Sequence, residues 1–313
     1  MRNKLLSAVK LLLGVALLIL LFYKVGPANI LSTLLEIRLQ TILIVILIYV
    51  FAVILVAANY TLFLSVDYPN IKFVNVLRRS LETWALGLFM PSKSGDFLLP
   101  FLLKKDGFEV GKTMAAVFLD RVISLLVLCI FAAAGVVFLM PSKTWMIAAM
   151  LLLILASLIA ITSSIVRNFV KKALGRRARY FAGFYSALQR MLAYKNKLFL
   201  NFLLTNMQWQ LSFLMVYFLF LAQGVHINYV AVMFLYAIIK VISLVPITMA
   251  GLGVKELFAI ILFSSFSIAA ENTMAVFTVL LITTYFIAFA ILIVSALYKY
   301  NSAPLPAQPL SLR

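Results

Sequence analysis

The sequence predicts an all-α polytopic membrane protein. It reads as about eight transmembrane helices, with one or two re-entrant hairpins broken by proline and glycine on the cytoplasmic side. Three observations predict this. The 313 residues are 65% hydrophobic and only 12% charged, with mean hydropathy +1.13, far from the composition of a soluble domain. Apolar stretches of about 17 to 25 residues, the length needed to cross a hydrocarbon core about 30 Å thick, recur between charged segments. Two apolar runs are interrupted by proline and glycine.

Spans are expected at about Leu5 to Tyr23, Thr41 to Ser65, Thr113 to Leu139, Trp145 to Val166, Leu198 to Leu221, Tyr229 to Val245, Leu257 to Ala270 and Met274 to Tyr298; the seventh is short and reads either as a true crossing or as the exit limb of a second hairpin. The first has the basic start of a secretory leader but no small-residue cleavage site, and Phe22, Tyr23 and Lys24 close it like an interfacial anchor, so it reads as a retained span. Residues 1–300 form one membrane domain. The stretch 301–313, NSAPLPAQPLSLR, is rich in proline and is expected to be disordered.

Charge sets the orientation. The chain carries 27 Lys plus Arg against 9 Asp plus Glu. In a membrane protein such an excess belongs to cytoplasmic loops rather than to nucleic-acid binding. Basic residues concentrate between Val66 and Lys112 and between Arg167 and Lys197, the latter stretch without a single acid, whereas the opposite loops contribute only Lys24, Arg38 and Lys143. Both termini are therefore expected in the cytoplasm, with the chain in the cell membrane. Phe181, Phe184, Tyr185, Leu188, Met191 and Leu192 recur at helical spacing, predicting an amphipathic helix on the inner leaflet. The surrounding charges serve equally to set topology.

One cysteine (Cys129) and one histidine (His226) rule out a disulfide framework and a multi-Cys/His metal site within the chain. No metal or cofactor is expected. There is no Gly-rich nucleotide loop, so hydrolysis of ATP by this chain is unsupported.

The informative stretch is GLFMPSKSGDFLLPFLL, residues 87–103. Leu81 to Met90 would rise about 15 Å as a helix and Phe97 to Leu103 about 10 Å, so neither crosses alone. A re-entrant hairpin with its break at Pro91 to Asp96 is one reading; a surface loop between two interfacial helices is the other. Non-helical backbone at membrane depth is tolerated where it lines a wet cavity. A helix opening after Gly95 or Asp96 also presents free N–H groups to an anion, with Lys93 adding charge.

A second break follows the sixth span: Pro246, Gly251, Gly253, Lys255 and Glu256, then a short apolar run. Proline, glycine and then an acid appear in both halves, as Pro91, Gly95, Asp96 and as Pro246, Gly251, Glu256. This suggests a weak two-fold pseudo-repeat of the kind that marks a transporter's binding site.

Asp120 and Arg121 fall about two turns into the third span, where a charge is costly. Neighbours on a helix point about 100° apart, so they are not expected to share a partner. Arg121 is assigned to a lipid phosphate, Asp96 or Glu256, and Asp120 to Lys93 or Lys255; an internal structural ion pair is the competing reading. Lys240, five residues from the end of its span, reads as a snorkelling lysine.

The stretches MPSKSGDFLLPFLL, KTMAAVFLDRVISLLVL and LVPITMAGLGVKELF resemble the transmembrane region of lysylphosphatidylglycerol synthases, a flippase-like family. Pro91, Gly95, Asp120, Arg121, Pro246, Gly251, Gly253 and Glu256 match the family's motifs. Asp96 replaces a glutamate, Lys255 an arginine, and Ala250 stands where a glycine is usual. The resemblance implies a lipid-handling membrane domain, and no synthase-type cytosolic domain is expected within residues 1–313.

The expected function is a flippase-like lipid translocase or carrier for an anionic phospholipid or polyisoprenyl-phosphate lipid. The candidate substrate-binding residues are Lys93, Gly95, Asp96, Asp120, Arg121, Gly251, Gly253, Lys255 and Glu256, and none is assigned as catalytic. Without a catalytic domain or nucleotide motif, transport is preferred to catalysis. Two alternatives stand: a membrane-embedded enzyme or partner subunit acting on a lipid-linked sugar, with Asp96, Asp120 or Glu256 as acid or base, and a small-solute transporter. Expected partners are membrane lipids with anionic head groups, with a second copy or a separate lipid-modifying enzyme as the protein partner.

Overall fold

The computed structural model describes residues 2–88, 91–145, 147, 148, 152, 155, 182–245, 247, 248 and 251–301, and among these the chain is helix and turn with no strand. The body of the expected fourth span, most of the basic stretch before residue 182, Pro246 and the tail beyond 301 lie outside the described residues.

Helix α1 (Arg2–Val25) ends at Gly26, whose φ of +97° suits glycine, and Pro27 then opens α2 (Pro27–Glu36). The pair bends by 85°. Helix α3 (Leu39–Leu64) follows, then α4 (Phe73–Leu88), a 3-10 segment (Pro91–Leu98), α5 (Leu99–Lys104) and α6 (Val110–Leu139). After the interval come α7 (Phe184–Ala193), α8 (Lys195–Ala222), α9 (Tyr229–Ile242), α10 (Val254–Ser264) and α11 (Ala270–Asn301).

Among the described residues three helices are long and apolar enough to cross a membrane, in α3, α6 and α11, and the bent α1–α2 pair is a fourth candidate. Helix α8 has the length at 28 residues, but asparagine, glutamine and threonine dilute its hydropathy. Leu47, Phe138, Phe286 and Phe289 are each more than half exposed. Large apolar side chains in that number belong against lipid tails rather than water. The chain is a multi-pass membrane protein.

Two buried clusters mark the two ends of the bundle. One joins Phe63 and Leu64 of α3, Val76 of α4, Leu99 and Leu103 of α5, Ala115 of α6 and Met191 of α7. The other joins Val45 of α3, Val136 of α6, Phe220 of α8, Val232 of α9, Phe263 of α10 and Val276 of α11. Helix α7 thus lays its apolar face (Ala187, Leu188, Met191) on protein, and Arg190 bonds Asp67 at 2.6 Å. The described part of the amphipathic stretch is docked on the bundle by one face.

The chain doubles back twice. Helix α4 starts at Phe73, earlier than the charges predict, because those charges are satisfied internally. Arg79 grips Asp106 with Nε and Nη2 at 2.7 and 2.5 Å and meets Glu82 at 3.2 Å, and Ser295 of α11 donates to Glu82 at 2.7 Å. The break is a 3-10 segment folded directly onto α4. A Cβ built on Gly95 would lie 2.6 Å from the Thr83 carbonyl oxygen, and one on Gly87 the same distance from Gly95 Cα. Only glycine permits that backbone contact.

The second doubling corrects an expectation. The sixth and seventh predicted spans are helices of only 14 and 11 residues, each about 16 to 21 Å long. Helix α10 returns to the end where α9 began: Phe263 packs on Phe220 at 4.8 Å between centroids, and Asn272 at the start of α11 donates to Gln223 at the end of α8. The α9–α10 pair therefore enters from the end opposite to α4–α5, not from the same side. A 14-residue apolar helix with apolar turn residues after it reads in sequence like a full span, while the short run after it is open to both readings; neither pattern encodes the end from which the pair starts.

Candidate functional site

The tips of the two doubled-back pairs meet in the middle of the bundle. There they line a cavity of about 300 Å³ with α3, α6, α8 and α11. Gly87, Gly95 and Asp96 come from the first pair, Lys240, Leu252 and Lys255 from the second, and Tyr60, Arg121 and Gln208 from the spans between.

Arg121 is the hub of one wall. Its Nη1 lies 3.3 Å from Asp96 Oδ2 and its Nη2 2.9 Å from Asp120 Oδ2. Nη2 also donates to Tyr60 Oη at 2.8 Å, and that hydroxyl donates onward to Asp96 Oδ1 at 3.3 Å. Asp120, 2% exposed, accepts from Asn201 Nδ2 of α8 at 3.1 Å. Two carboxylates and one guanidinium thus tie α3, the first break, α6 and α8 together. Among the described residues the partners of Asp120 are its own neighbour and Asn201, not Lys255; the alternative with Lys93 lies outside the described side chains. Adjacent helical positions diverge at Cβ, but the long arginine side chain folds back to close the gap. Of the partners offered for Arg121, Asp96 is the one it finds.

The opposite wall belongs to α9 and α10. Gly253 (φ +77°) leads into α10, and a Cβ there would lie 2.8 Å from the Gly14 carbonyl oxygen of α1. The Gly253 N–H donates to Glu256 Oε2 at 2.8 Å, so this carboxylate, 2% exposed, caps its own helix. Lys255 Nζ sits 3.2 Å from Glu256 Oε1, within ion-pair distance but without hydrogen-bond alignment, and 5.4 Å over the Phe277 ring. Gly251 (φ +73°) turns the break beside Ser243. Glu256, Gly251 and Gly253 shape this wall from behind; Lys255 faces the cavity. The Lys93 side chain lies outside the described residues.

Residues 7–291 match the family described as the lysylphosphatidylglycerol synthase TM region. The chain belongs to that family. It is accordingly a membrane protein of a family linked to lipid handling, and the resemblance seen in the three motif stretches holds across most of the chain. Among curated proteins, no match is found.

In this lysylphosphatidylglycerol synthase TM-region protein, sequence reasoning missed several cavity residues. Lys240 does not snorkel: it lines the cavity, its Nζ 4.9 Å over the Tyr236 ring. Asn201, Thr205, Gln208 and Ser212 were passed over as generic span residues. Their spacing of 4, 3 and 4 places them on one helical face. That face meets Asp120 through Asn201 and Asn59 through Thr205, and it meets the cavity through Gln208 and Ser212. A polar stripe at helical spacing in an apolar helix was the available signal. Tyr60 had none, since tyrosine is ordinary near a span's end.

Proposed function

We propose that this protein is a flippase-like lipid translocase or carrier. In this reading the head group of an anionic phospholipid or polyisoprenyl-phosphate lipid passes through the central cavity while the chains stay in the bilayer. The observation that carries it is the convergence of two broken segments on one cavity lined by Asp96, Arg121, Lys240 and Lys255. Ionisable groups at membrane depth are costly and mark substrate pathways, and discontinuous helices near the midplane are where transporters bind. A volume of about 300 Å³ sits at the lower end for small-ligand pockets, suited to a head group rather than a whole lipid.

The end bearing Lys104, Lys105, Arg190 and Lys197 is assigned to the cytoplasm by its positive charge. The first pair is then a re-entrant hairpin from the cytoplasmic face and α9–α10 one from the outer face of the cell membrane, with both termini cytoplasmic. Span, hairpin, span occurs twice in opposite sense, α3 to α6 and α8 to α11. This order supports a two-fold pseudo-repeat of inverted topology, with the site at the repeat interface. Lysyl, glycyl and acidic positions in the two breaks, Lys93, Gly95 and Asp96 with Gly251, Gly253, Lys255 and Glu256, form or frame that site together with Asp120 and Arg121. Membrane lipid is its partner, and a second copy or a lipid-modifying enzyme the protein partner it would serve.

The test is leaflet exchange in proteoliposomes carrying labelled anionic and zwitterionic lipids, comparing wild type with Arg121→Ala and Asp96→Asn. Movement of the anionic lipid that both variants lose is the expected result. Folded wild-type protein that moves no anionic lipid in either direction refutes the reading.

A further inference from the structure

The chain has nine carboxylates, and all nine lie among the described residues. Seven make ion pairs: Asp67 with Arg190, Glu82 and Asp106 with Arg79, Glu109 with Lys112, Asp96 and Asp120 with Arg121, and Glu256 with Lys255. The other two are Glu36, in the exposed end of α2, and Glu271, in the first turn of α11. None pairs with Lys240. This lysine lies eleven residues into a 14-residue apolar helix and faces the cavity, with the Tyr236 ring against its ammonium among the described residues. On the same wall stands Lys255, whose one carboxylate is already shared with the Gly253 N–H.

Counted over the described side chains, which leave out Lys93, the cavity is polarised. Asp96, Asp120 and Arg121 sum to one negative charge on the α6 wall; Lys240, Lys255 and Glu256 sum to one positive charge on the α9–α10 wall. Arg121, the cation that sequence reasoning favours for a head group, already has Nη2 bonded to Asp120 and Tyr60 and Nη1 within ion-pair distance of Asp96, which leaves its buried Nε without an acceptor among the described residues. An unpaired ammonium in a low-dielectric cavity is unfavourable unless an anion joins it. Two ammoniums acting as point charges suit the spread charge of a phosphate better than the planar fork that a carboxylate prefers.

We infer that Lys240 and Lys255 form the seat for the ligand's phosphate, at the α9–α10 wall, while the Arg121 cluster is an internal tie that holds the cavity's other wall. This rests on the reading of the cavity as a head-group path and names the residues that receive the charged group. The ligand chemistry is a phosphate ester, and a lipid head group and free phosphate are its two sources.

Trp84 lines the cavity, so tryptophan fluorescence of the detergent-purified full chain reports occupancy. The probes are dioctanoyl phosphatidylglycerol, dioctanoylglycerol as chains without phosphate, and inorganic phosphate. Saturable binding of the phosphatidylglycerol and none of the diacylglycerol is expected. Lys240→Gln should weaken binding by about 10-fold or more, the effect of losing one charged hydrogen-bond partner. Lys240→Arg should keep most of the affinity, and Lys143→Gln, which removes a charge far from the cavity, should change nothing. Displacement of the phosphatidylglycerol by inorganic phosphate, sensitive to Lys240→Gln, supports the seat and makes free phosphate a ligand in its own right.

Lys240→Gln binding like wild type overturns the inference, as does equal binding of the two dioctanoyl lipids. Thermal unfolding of each variant separates lost binding from lost fold, and Lys240→Arg keeps the inference falsifiable should Lys240→Gln not fold. If leaflet exchange is absent while Lys240-dependent binding persists, translocation falls and the seat stands. If exchange proceeds and Lys240→Gln binds normally, the seat falls and translocation stands.

Discussion

Replacing Asp120 with asparagine keeps the shape of the side chain and removes its charge. The carboxylate is 2% exposed and lies between Arg121 at 2.9 Å and Asn201 at 3.1 Å. Opposite charges about 4 Å apart attract by about 4 kcal/mol at an effective dielectric of about 20, before desolvation is subtracted. Removing one member of a buried pair typically costs about 3 to 5 kcal/mol. Arg121 retains Asp96 at 3.3 Å, which places Asp120→Asn near the lower end, about 3 kcal/mol. At about 2 °C per kcal/mol for a chain of this size, the melting temperature should fall by about 6 °C. Arg121→Gln should cost more, because Asp96 and Asp120 then share a site without a cation. The double variant should cost less than the two singles together by at least about 1 kcal/mol, since each single leaves a charge the other removes. Thermal unfolding of the detergent-purified protein, followed by intrinsic fluorescence, measures all three. Single losses that add within about 0.5 kcal/mol would mean the two residues are energetically independent, and the hub role assigned to Arg121 would be wrong.

Three further outcomes follow from other parts of the molecule. Gly253→Ala should destabilise by more than the roughly 1 to 2 kcal/mol of a left-handed backbone alone, because its methyl also meets the Gly14 carbonyl oxygen; thermal unfolding beside a Gly224→Ala control, a positive-φ site with open space, isolates the packing part. The fork from Arg79 holds the Asp106 carboxyl below its ordinary range, so its contribution to stability is present above about pH 4 and is lost as pH falls through the lowered folded value. Asp106→Asn should flatten that acid limb of the melting temperature against pH. Finally, Cys129 is buried, so single cysteines introduced elsewhere report topology: Ser265→Cys and Gly224→Cys should be labelled by a membrane-impermeant thiol reagent from one face and Lys105→Cys from the other. Labelling of all three from one face would refute the opposed hairpins.

Much of this architecture was legible in the residues. Composition and apolar run length sufficed for an all-helical membrane protein, because no other use of so many consecutive Leu, Ile, Val and Phe is compatible with water. Pro91 and Gly95, and Gly251 and Gly253, announced the two breaks, and Asp120 with Arg121 announced a charged layer inside the bundle. What was hidden depends on distance along other elements. The direction of α10 hangs on Phe263 meeting Phe220, two aromatic residues 43 positions apart, and no local pattern encodes that. The partner of Asp120 turned on how far an arginine side chain reaches, which Cβ angles do not capture. Lys240 was misjudged because the end of its helix was taken to face head groups, whereas Lys240, two residues from the end of α9, lines the cavity. The stripe of Asn201, Thr205, Gln208 and Ser212 was readable, but it needed polar residues to be scored for periodicity as apolar ones are.

The contact of Gly87 with Gly95 has a consequence for motion. Where helices meet through side chains, as where Gly135 packs against Phe234, sliding one past the other means lifting each knob from its hole. Where two glycines face each other backbone to backbone there are no teeth to lift. The first break rests on α4 as on a smooth bearing, so a shift of its tip along α4 requires no side chain at that seam to change rotamer. Asp96 is the residue after Gly95, so any such slide carries with it the carboxylate that meets Arg121. The smooth seam and the carboxylate that meets Arg121 are then neighbours in the chain, and a larger residue at either glycine would push the break off α4 and displace Asp96 with it.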